Sequence, residues 1–363
     1  MRIAFFSDAF YPQINGVSNT LMYLSEYLQQ QGIEHIFLAP DYVGEDQEKG
    51  QMPVIRFKGI RPHLCPECCL AFPSPVKVQQ VLSDFRPDVI HIVTELGIGW
   101  AGLRAARTMN IPIVMSYHTN FDKYLEFYHL KYLNKALNVY MKWFHNFALV
   151  NLCPSAHTMF SLQRQGFKRL DIWSRGIDLE RFHPDHFNTE VREQMGGKDK
   201  FVFLYVGRIA AEKGLDIYFQ SIKEINEQCM ERLQFVFTGE GPYLDELMSQ
   251  QIPNIIFTGP KRGQELAEIY ASADAFVFPS GTETFGNVLL EAMASGLPVI
   301  CANTGGVTDF TENNENAFVF KNGDSADLTH ALRKMLNPQF RDAIRRKAME
   351  TARSEVGRQF LKD

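Results

Sequence analysis

Two glutamates and two cations stand at spacings that could bind a sugar linked to a diphosphate. Glu283 and Glu291 form an E-x7-E pattern within SGTETFGNVLLEAMASG, residues 280–296. Two fixed carboxylates accept hydrogen bonds from the neighbouring hydroxyl groups of a sugar or ribose ring. Arg208 and Lys213 stand five residues apart in GRIAAEKG. They could bind phosphate, because arginine offers a planar fork of donors and lysine a mobile point charge.

Each pair also has a simpler interpretation. Arg208 and Lys213 could be surface cations of a solvated loop. Both acids could lie at a helix start, where the macrodipole favours negative charge. That alternative suits Glu283 poorly and Glu291 worse, since the residues at 289, 290, 292 and 293 are all apolar. A helix beginning near Gly286 would also leave amides there unpaired and available to an anion.

These side chains must be positioned by strands that end beside them. Short apolar runs predict strands at residues 2–7, 36–39, 89–94, 113–117, 149–154, 201–206, 233–238, 255–258, 275–279 and 298–302. Helical patterns fall between them, for example at residues 17–31 and 99–109. Near-continuous apolar strands alternating with helices predict parallel sheets covered by helices on both faces.

The pattern predicts an α/β protein with two Rossmann-like doubly wound domains. A chain of 363 residues exceeds one ordinary core. The predicted domains are residues 1–178 and 179–345, with a tail at 346–363 that returns to the first domain. A polar stretch at residues 178–200, with Pro184 and a glycine pair, predicts the linker. Ligands of such sheets bind at the carboxyl ends of the strands, so the cleft between the domains is the predicted site.

Five motifs, in order along the chain, resemble the retaining GT-B glycosyltransferases of family 4, also called group 1. They are YPQINGV (11–17), GRIAAEKG (207–214), FTGEGP (237–242), ETFGNVLLEAMASGLPVI (283–300) and TGG (304–306). The resemblance covers nearly the whole chain. It implies transfer of a hexose from a nucleotide-diphosphate sugar, of the GDP-mannose or UDP-glucose type, to a lipid or glycan acceptor. The segment IWSRGID (172–178), with Arg175, resembles the branch of GDP-mannose-dependent mannosyltransferases and sulfoquinovosyl-diacylglycerol synthases.

The family resemblance also implies roles for the matching residues. Arg208 and Lys213 would hold the diphosphate, Glu291 the ribose hydroxyls and Glu283 the transferred sugar. The glycine at position 16 would let the backbone approach the donor phosphates. Besides the two cations and the two glutamates, the donor-binding candidates are this glycine and six other residues, that is Gly16, Gly239, Lys261, Phe285, Gly286, Asn287 and Val288.

A histidine and two aspartates complete the predicted site in the first domain. His118 ends the predicted strand of IPIVMSYH and matches the family's YH or TH element. A lone histidine is often a structural residue. The match instead favours a hydrogen bond from His118 to the donor sugar or to the leaving phosphate. The catalytic candidates are therefore His118, Glu283, Arg208 and Lys213, and Asp8 and Asp122 are candidates on the acceptor side.

The sequence predicts a transferase that uses neither a metal nor a cofactor. It contains no D-x-D element, with which metal-assisted transferases bridge Mn²⁺ or Mg²⁺ to the diphosphate. Arg208, Lys213 and helix amides would supply the positive field instead. Cys65, Cys68 and Cys69 form a C-x2-C-C cluster, but a second ligand pair at zinc-finger spacing is missing, so we interpret them as structural thiols.

Aromatic residues occur throughout residues 121–150 and are interleaved with four lysines, a composition that suits a lipid headgroup surface. The alternative is a helix packed on its own sheet with solvated lysines. There is no signal-peptide pattern and no long apolar run, so we expect a cytoplasmic protein, with peripheral contact at the inner face of the membrane. With 37 basic residues against 42 acidic ones, the net charge of −5 gives no reason to expect nucleic acid as a partner.

Three rival functions remain open at this stage. A sugar-nucleotide epimerase of GT-B architecture would need acid–base groups around the sugar and no acceptor site. A non-catalytic nucleotide-sugar binding protein would be expected to lack an essential site residue, yet Arg208, Lys213, Glu283 and Glu291 are all present. A nicotinamide dehydrogenase is disfavoured, because neither half has G-x-G-x-x-G after its first strand.

Overall fold

The computed structural model describes residues 1–13, 16–42, 52–61, 69–118, 132, 134–173 and 177–357. The described residues up to Trp173 form one compact unit, and those from Ile177 onward form a second. The division lies near the domain boundary predicted at residue 178.

The first unit is built on a sheet of eight strands within its described residues. The strands are β1 Arg2–Phe6, β2 Glu34–Asp41, β3 Val54–Ile60, β4 Leu70–Ala71, β5 Val89–Ile92, β6 Ile113–Ser116, β7 Val150–Cys153 and β8 Leu170–Ile172. Their order is β4-β3-β2-β1-β5-β6-β7-β8, and all neighbours are parallel except β3 and β4. Its helices are α1 Gly16–Gln30, α2 Pro75–Phe85, α3 Gly97–Met109, α4 Asn134–His145 and α5 Ala156–Arg164.

Both faces of this sheet are buried, as a parallel sheet requires. Successive residues of β1 point to opposite faces. Ile3 and Phe5 accordingly join one apolar cluster, and Ala4 and Phe6 join another. The continuous apolar run that predicted the strand therefore reflects two cores, one on each side of the sheet.

The second unit has a sheet of six parallel strands within its described residues. They are β9 Phe201–Val206, β10 Leu233–Thr238, β11 Ile255–Gly259, β12 Ala275–Phe278, β13 Val299–Ala302 and β14 Phe318–Phe320. The helices are α6 Thr189–Gln194, α7 Leu215–Cys229, α8 Leu244–Ser249, α9 Gly263–Ala271, α10 Asn287–Ala294, α11 Ser325–Met335 and α12 Pro338–Gly357.

The strand order of the second sheet is β11-β10-β9-β12-β13-β14, which is the doubly wound order of a Rossmann fold. The chain reverses direction across the sheet between β9 and β12, and in the first sheet between β1 and β5. Ligands of such sheets bind outside the strand ends at these switch points. The predicted fold class of two Rossmann-like α/β domains is confirmed.

The segment predicted as a linker is instead largely part of the second unit. It contains a short 3-10 helix, Pro184–His186, and helix α6. Met195 is buried in the core of the second unit. Arg192 binds the Asp274 carboxylate at 2.7 Å and donates to the backbone oxygen of Ser272. A polar sequence here indicates hydrogen bonding to the sheet rather than a free connection.

The chain end also differs from the predicted return to the first domain. Helix α12 packs against the second unit, where Ile344, Ala348 and Ala352 lie in the core. These residues recur every four positions, so they form one apolar stripe along the helix. Residues 346–357 are therefore anchored on the second unit, and residues 358–363 lie outside the described residues.

None of the described helices combines the length and the apolar character needed to cross a membrane.

Candidate active site

The two phosphate-binding candidates lie in the loop that follows β9, at the switch point of the second sheet. Arg208 forms an ion pair with Glu212, four residues along the chain. Lys213 forms an ion pair with Glu283, which lies 70 residues away in the loop after β12. The structure thus brings the predicted phosphate cation and the predicted sugar-binding acid into direct contact.

Packing beneath this loop fixes its shape. The buried Tyr205 hydroxyl donates to the backbone oxygen of Arg208 at 2.9 Å. The loop ends at Gly214, whose φ is 69°. A Cβ atom there would lie 2.7 Å from the backbone oxygen of Pro279, at the end of β12. The two strand-end loops can approach each other only because position 214 is glycine.

Two other glycine motifs pack against these loops. A Cβ at Gly239 would lie 2.0 Å from the backbone oxygen of Gly207, so FTGEGP lies directly on GRIAAEKG. A Cβ at Gly306 would lie 2.0 Å from the backbone oxygen of Thr284, and the Gly306 amide donates to the backbone oxygen of Glu283 at 2.9 Å. The TGG motif therefore packs against the backbone of the loop that carries Glu283 and is hydrogen-bonded to it.

Helix α10 begins one residue after Gly286, as predicted. Gly286 has φ 95° and lies against Val307, where a Cβ would be 2.6 Å from a methyl carbon. The Phe285 side chain packs into the core against Phe310. The Asn287 side-chain oxygen is buried, and it has no hydrogen-bond partner among the described residues. A buried acceptor of this kind calls for an explanation, such as a donor group on a bound ligand.

Glu291 lies in the second turn of α10 and contacts a tyrosine that sequence reasoning missed. The Tyr270 hydroxyl donates to Glu291 Oε2 at 3.0 Å and approaches the backbone oxygen of Val288 at 3.4 Å. Burial raises the pKa of Glu291 to about 7, although the Tyr270 hydrogen bond and the charge of Arg181 lower it. Near neutral pH this carboxyl group is therefore present in both its protonated and its ionised form.

Glu212 is a second residue that the sequence did not single out. One carboxylate oxygen pairs with Arg208, and the other is buried without a hydrogen-bond partner among the described residues. The only sequence signal was an acid four residues after an arginine in a glycine-bounded loop. Such a pair is common on solvated helices and does not by itself indicate a site.

In the first unit, His118 lies two residues beyond β6 and is buried. Its Nε2 atom lies 2.7 Å from the Ser116 hydroxyl, which lies 3.1 Å from Nε2 of His91. Trp173 lies against both histidine rings, with centroids 6.2 Å from His118 and 5.8 Å from His91. Ser116 and His91 were missed, because each is one polar residue inside an apolar strand.

Asp8 follows β1 and is bound to the start of α3. Its carboxylate accepts from the Thr94 hydroxyl at 2.8 Å and from the Ile98 amide at 2.9 Å. Burial raises the pKa of Asp8 to about 6, although these hydrogen bonds lower it. Both oxygens are thus committed within the unit, and an acceptor-side role for Asp8 stays a prediction.

Three other residues singled out from the sequence have only local contacts to report. Gly16 is the first residue of α1, and its backbone oxygen accepts from Thr20 at 2.6 Å. Lys261 lies before α9 and pairs with Glu265 at 3.7 Å. Cys69 is buried, with its thiol 3.7 Å from the backbone oxygen of Asp41. The predicted residues outside the described part of the chain are Cys65, Cys68, Asp122 and Arg175.

Within the described ranges, no three histidine, cysteine, aspartate or glutamate side chains are grouped so as to hold a metal ion. Metal independence stays a prediction.

Two doubly wound sheets, with cations and acids gathered at a switch point of the second sheet, define a two-domain α/β protein of the class that binds ligands outside the strand ends. Residues 187–355 match the family model of the glycosyl transferases group 1, and residues 14–181 match that of Glycosyltransferase Family 4. The chain belongs to this family and is a glycosyltransferase. The family resemblance inferred from the motifs is confirmed.

Known relatives agree with this assignment. A GDP-mannose-dependent alpha-mannosyltransferase of Mycobacterium tuberculosis is 32% identical, over 99% of this chain and 93% of that protein. An alpha-monoglucosyldiacylglycerol synthase of Streptococcus pneumoniae is 28% identical, over 83% of this chain and 70% of that protein. The crystal structure of Anabaena HepE with UDP and glucose superposes with a TM-score of 0.79 at 21% identity, covering 98% of this chain and 95% of that one. This likeness, together with the two doubly wound sheets, confirms the GT-B fold.

Proposed function

We propose that this protein is a retaining, metal-independent glycosyltransferase that uses a nucleotide-diphosphate sugar as its donor. The observation that carries the proposal is the Lys213–Glu283 ion pair. In this pair, a cation suited to binding phosphate contacts a carboxylate suited to binding sugar hydroxyls, and both lie at the switch point of the second sheet. Relatives named for GDP-mannose and for diacylglycerol products support a hexose of the GDP-mannose or UDP-glucose type and a lipid or glycan acceptor.

The cations and the glutamates have different roles in the proposed transfer reaction. The bond between the sugar's anomeric carbon and the leaving phosphate oxygen breaks, while the acceptor oxygen bonds to that carbon. Arg208 and Lys213 stabilise the charge that grows on the departing diphosphate. Glu283 accepts from a sugar hydroxyl, and Glu291 accepts from the ribose. We propose that the acceptor attacks from the face on which the phosphate departs, and that the phosphate takes the acceptor's proton.

A donor panel tests this proposal directly. The protein is incubated with GDP-mannose, UDP-glucose and related donors, with acceptor lipids or glycans, in excess EDTA. We expect transfer in EDTA, because Arg208 and Lys213 supply the positive field that a metal would otherwise provide. Proton NMR of the product should show the anomeric configuration of the donor. Thermal shifts identify the donor independently, since a ligand at about 100 times its Kd stabilises by about 2.7 kcal/mol.

The outcomes separate the rival functions. Loss of transfer in EDTA, with recovery in Mn²⁺ or Mg²⁺, would refute metal independence. An inverted product would refute retention. Conversion of the donor without any acceptor would indicate an epimerase. Thermal stabilisation by a donor without turnover on any acceptor would indicate a binding protein.

We further propose that the acceptor is reached at a lipid surface through helices α3 and α4. Trp100 and Trp143 are 44% and 42% exposed, and their rings lie 5.5 Å apart. They border a groove that Arg104 and Arg107 also line. Neither helix contains an acidic residue, so this face carries net positive charge. Exposed tryptophan beside arginine suits anionic headgroups, because the ring enters the interface while the cation binds phosphate.

Vesicle sedimentation tests the surface. Binding to vesicles of phosphatidylcholine with anionic phosphatidylglycerol should exceed binding to phosphatidylcholine alone. The Trp100→Ala/Trp143→Ala variant should bind the anionic vesicles about tenfold more weakly, since each buried ring contributes apolar area. Phe187→Ala, at another exposed aromatic residue in the second unit, is the matched control. Equal binding by both variants would show that this face does not contact lipid.

A further inference from the structure

The tyrosine that contacts Glu291 is fixed in the core of the second unit. Tyr270 lies in the last turn of α9, and its side chain is fully buried. Its ring packs against Phe182 and against Phe276, with centroids 5.7 Å apart in both contacts. The packing of the ring therefore holds the hydroxyl group beside α10, independently of the hydrogen bond that it makes there.

Only one of the two acceptors near this hydroxyl group can receive its proton. The hydroxyl oxygen of Tyr270 lies 3.0 Å from Oε2 of Glu291 and 3.4 Å from the backbone oxygen of Val288. Burial and the nearby charge of Glu291 raise the pKa of Tyr270 well above its usual value, so the phenol keeps its proton. The carboxylate is the closer acceptor, and an ionised acceptor forms the stronger hydrogen bond. Tyr270 therefore donates to Oε2 of Glu291.

This hydrogen bond gives the two carboxylate oxygens of Glu291 different surroundings. Oε2 accepts from Tyr270, whereas Oε1 makes no hydrogen bond to the described residues, and Glu291 is only partly buried. A glutamate side chain has three rotatable bonds, and fixing them costs conformational entropy. Because Oε2 is held within the unit, that entropy is lost on folding rather than on ligand binding.

We propose that Tyr270 is a positioning residue that holds Oε2 of Glu291 and leaves Oε1 preorganised to accept from the ribose of the nucleotide. The ribose-binding role of Glu291 rests on the proposed function, whereas its contact with Tyr270 does not. The hydrogen bond also favours the ionised carboxylate, so it lowers the pKa of Glu291 against the larger effect of burial. Among the described charged groups, Arg181 lowers this pKa as well. Tyr270 thus supports the charged form of Glu291 as well as its orientation.

Calorimetry of GDP and UDP binding as a function of pH tests this role, with Tyr270→Phe removing only the hydroxyl group. In the unaltered protein, affinity should rise through about pH 7 as Glu291 ionises. In Tyr270→Phe the midpoint of this rise should move upward by about one pH unit, the scale of a hydrogen bond to a charged group. At about pH 7 the variant should bind about fivefold more weakly, because less of Glu291 is ionised. An unchanged midpoint would overturn the proposal.

A Glu291→Gln background shows whether Tyr270 acts through Glu291. In that background Tyr270→Phe should change the affinity for GDP or UDP less than about twofold at every pH, because the group that it positions no longer titrates. A loss of the same size in both backgrounds would show that Tyr270 has a purely structural role, which would overturn the proposal.

Tyr218 provides a matched control in the same unit. It is also fully buried, and its ring packs against Phe235 and Phe237. Its hydroxyl group has no hydrogen-bond partner among the described residues. Tyr218→Phe therefore removes a buried hydroxyl group from a similar environment, and it should leave nucleotide affinity and the midpoint unchanged. An equal upward shift in Tyr218→Phe would overturn the specific role of Tyr270.

Carbon-13 NMR of protein labelled at the glutamate carboxyl groups measures the pKa of Glu291 without a ligand, and Glu291→Gln assigns its resonance. We expect a titration near pH 7 in the unaltered protein and about one pH unit higher in Tyr270→Phe. The same pKa in both proteins would overturn the proposal. If the pKa shifts as expected but neither GDP nor UDP binds the unaltered protein, the proposed function fails, while the positioning of Glu291 by Tyr270 stands.

Discussion

Replacing Arg208 or Lys213 with alanine is expected to slow sugar transfer about a hundredfold, as does the loss of a single preorganised donor to a developing negative charge in other enzymes. The diphosphate gains charge as the bond to the sugar breaks, so both cations act more strongly in the transition state than on the bound donor. Steady-state kinetics should show the loss mainly in kcat. We expect Lys213→Ala to be at least as severe, because it also leaves Glu283 without its cation.

Lys198→Ala is the matched control for these two variants. Lys198 lies in the same unit, is exposed and pairs with Glu193 at 3.6 Å. An exposed pair of this kind contributes little, so both stability and turnover should stay near those of the unaltered protein. Transfer at the parent rate by both Arg208→Ala and Lys213→Ala would show that the loop after β9 is an ordinary solvated loop.

Changing Glu291 and changing Glu283 to glutamine should have different effects on nucleotide binding and on turnover. Glu291→Gln should weaken binding of the free nucleoside diphosphate and of the whole donor, since the ribose loses a charged acceptor worth about 1.5 to 3 kcal/mol. Glu283→Gln should leave nucleoside diphosphate binding nearly intact and lower turnover. Glutamine preserves side-chain size, so the fold should be little affected. Calorimetry with the nucleoside diphosphate decides between them, and equal weakening would contradict this division of roles.

The affinity measured in these calorimetric titrations should also depend on pH, because Glu291 ionises near neutral pH. With a pKa of about 7, Glu291 is largely protonated below that pH and ionised above it. Only the ionised form accepts fully from two hydroxyls, so nucleotide affinity should rise as pH increases through about 7. Glu291→Gln should remove this component of the pH dependence. Since the folded pKa is raised from 4.5, this carboxyl group also destabilises the fold progressively as pH rises from about 4.5 to 7.

Strands β3 and β8 were not predicted from the sequence, because their apolar patterns are weak. Strand β3 alternates apolar with charged residues, and β8 has only three residues at the sheet edge. The polar composition of residues 178–200 predicts a linker. In the structure, Arg192 uses that polarity to bind Asp274 and backbone oxygens of the second unit. Composition reports that polar groups are present, but it does not report which partners satisfy them.

The sequence by itself determined the strands and the loops that end them. Apolar runs must be buried on both faces, and glycines at positions such as 214 and 286 allow a backbone conformation and a close approach that other residues cannot adopt. These are local constraints, so a single sequence displays them. They were sufficient to predict the fold class and the residue types of the candidate site.

Only the tertiary structure decided which side chains meet. Lys213 contacts Glu283 across 70 residues because β9 and β12 are neighbours in the sheet. His91 reaches Ser116 because β5 lies beside β6. Tyr270 reaches Glu291 from another helix. Each contact depends on strand order and helix packing, which follow from how the whole chain buries its apolar surface rather than from any local run of residues.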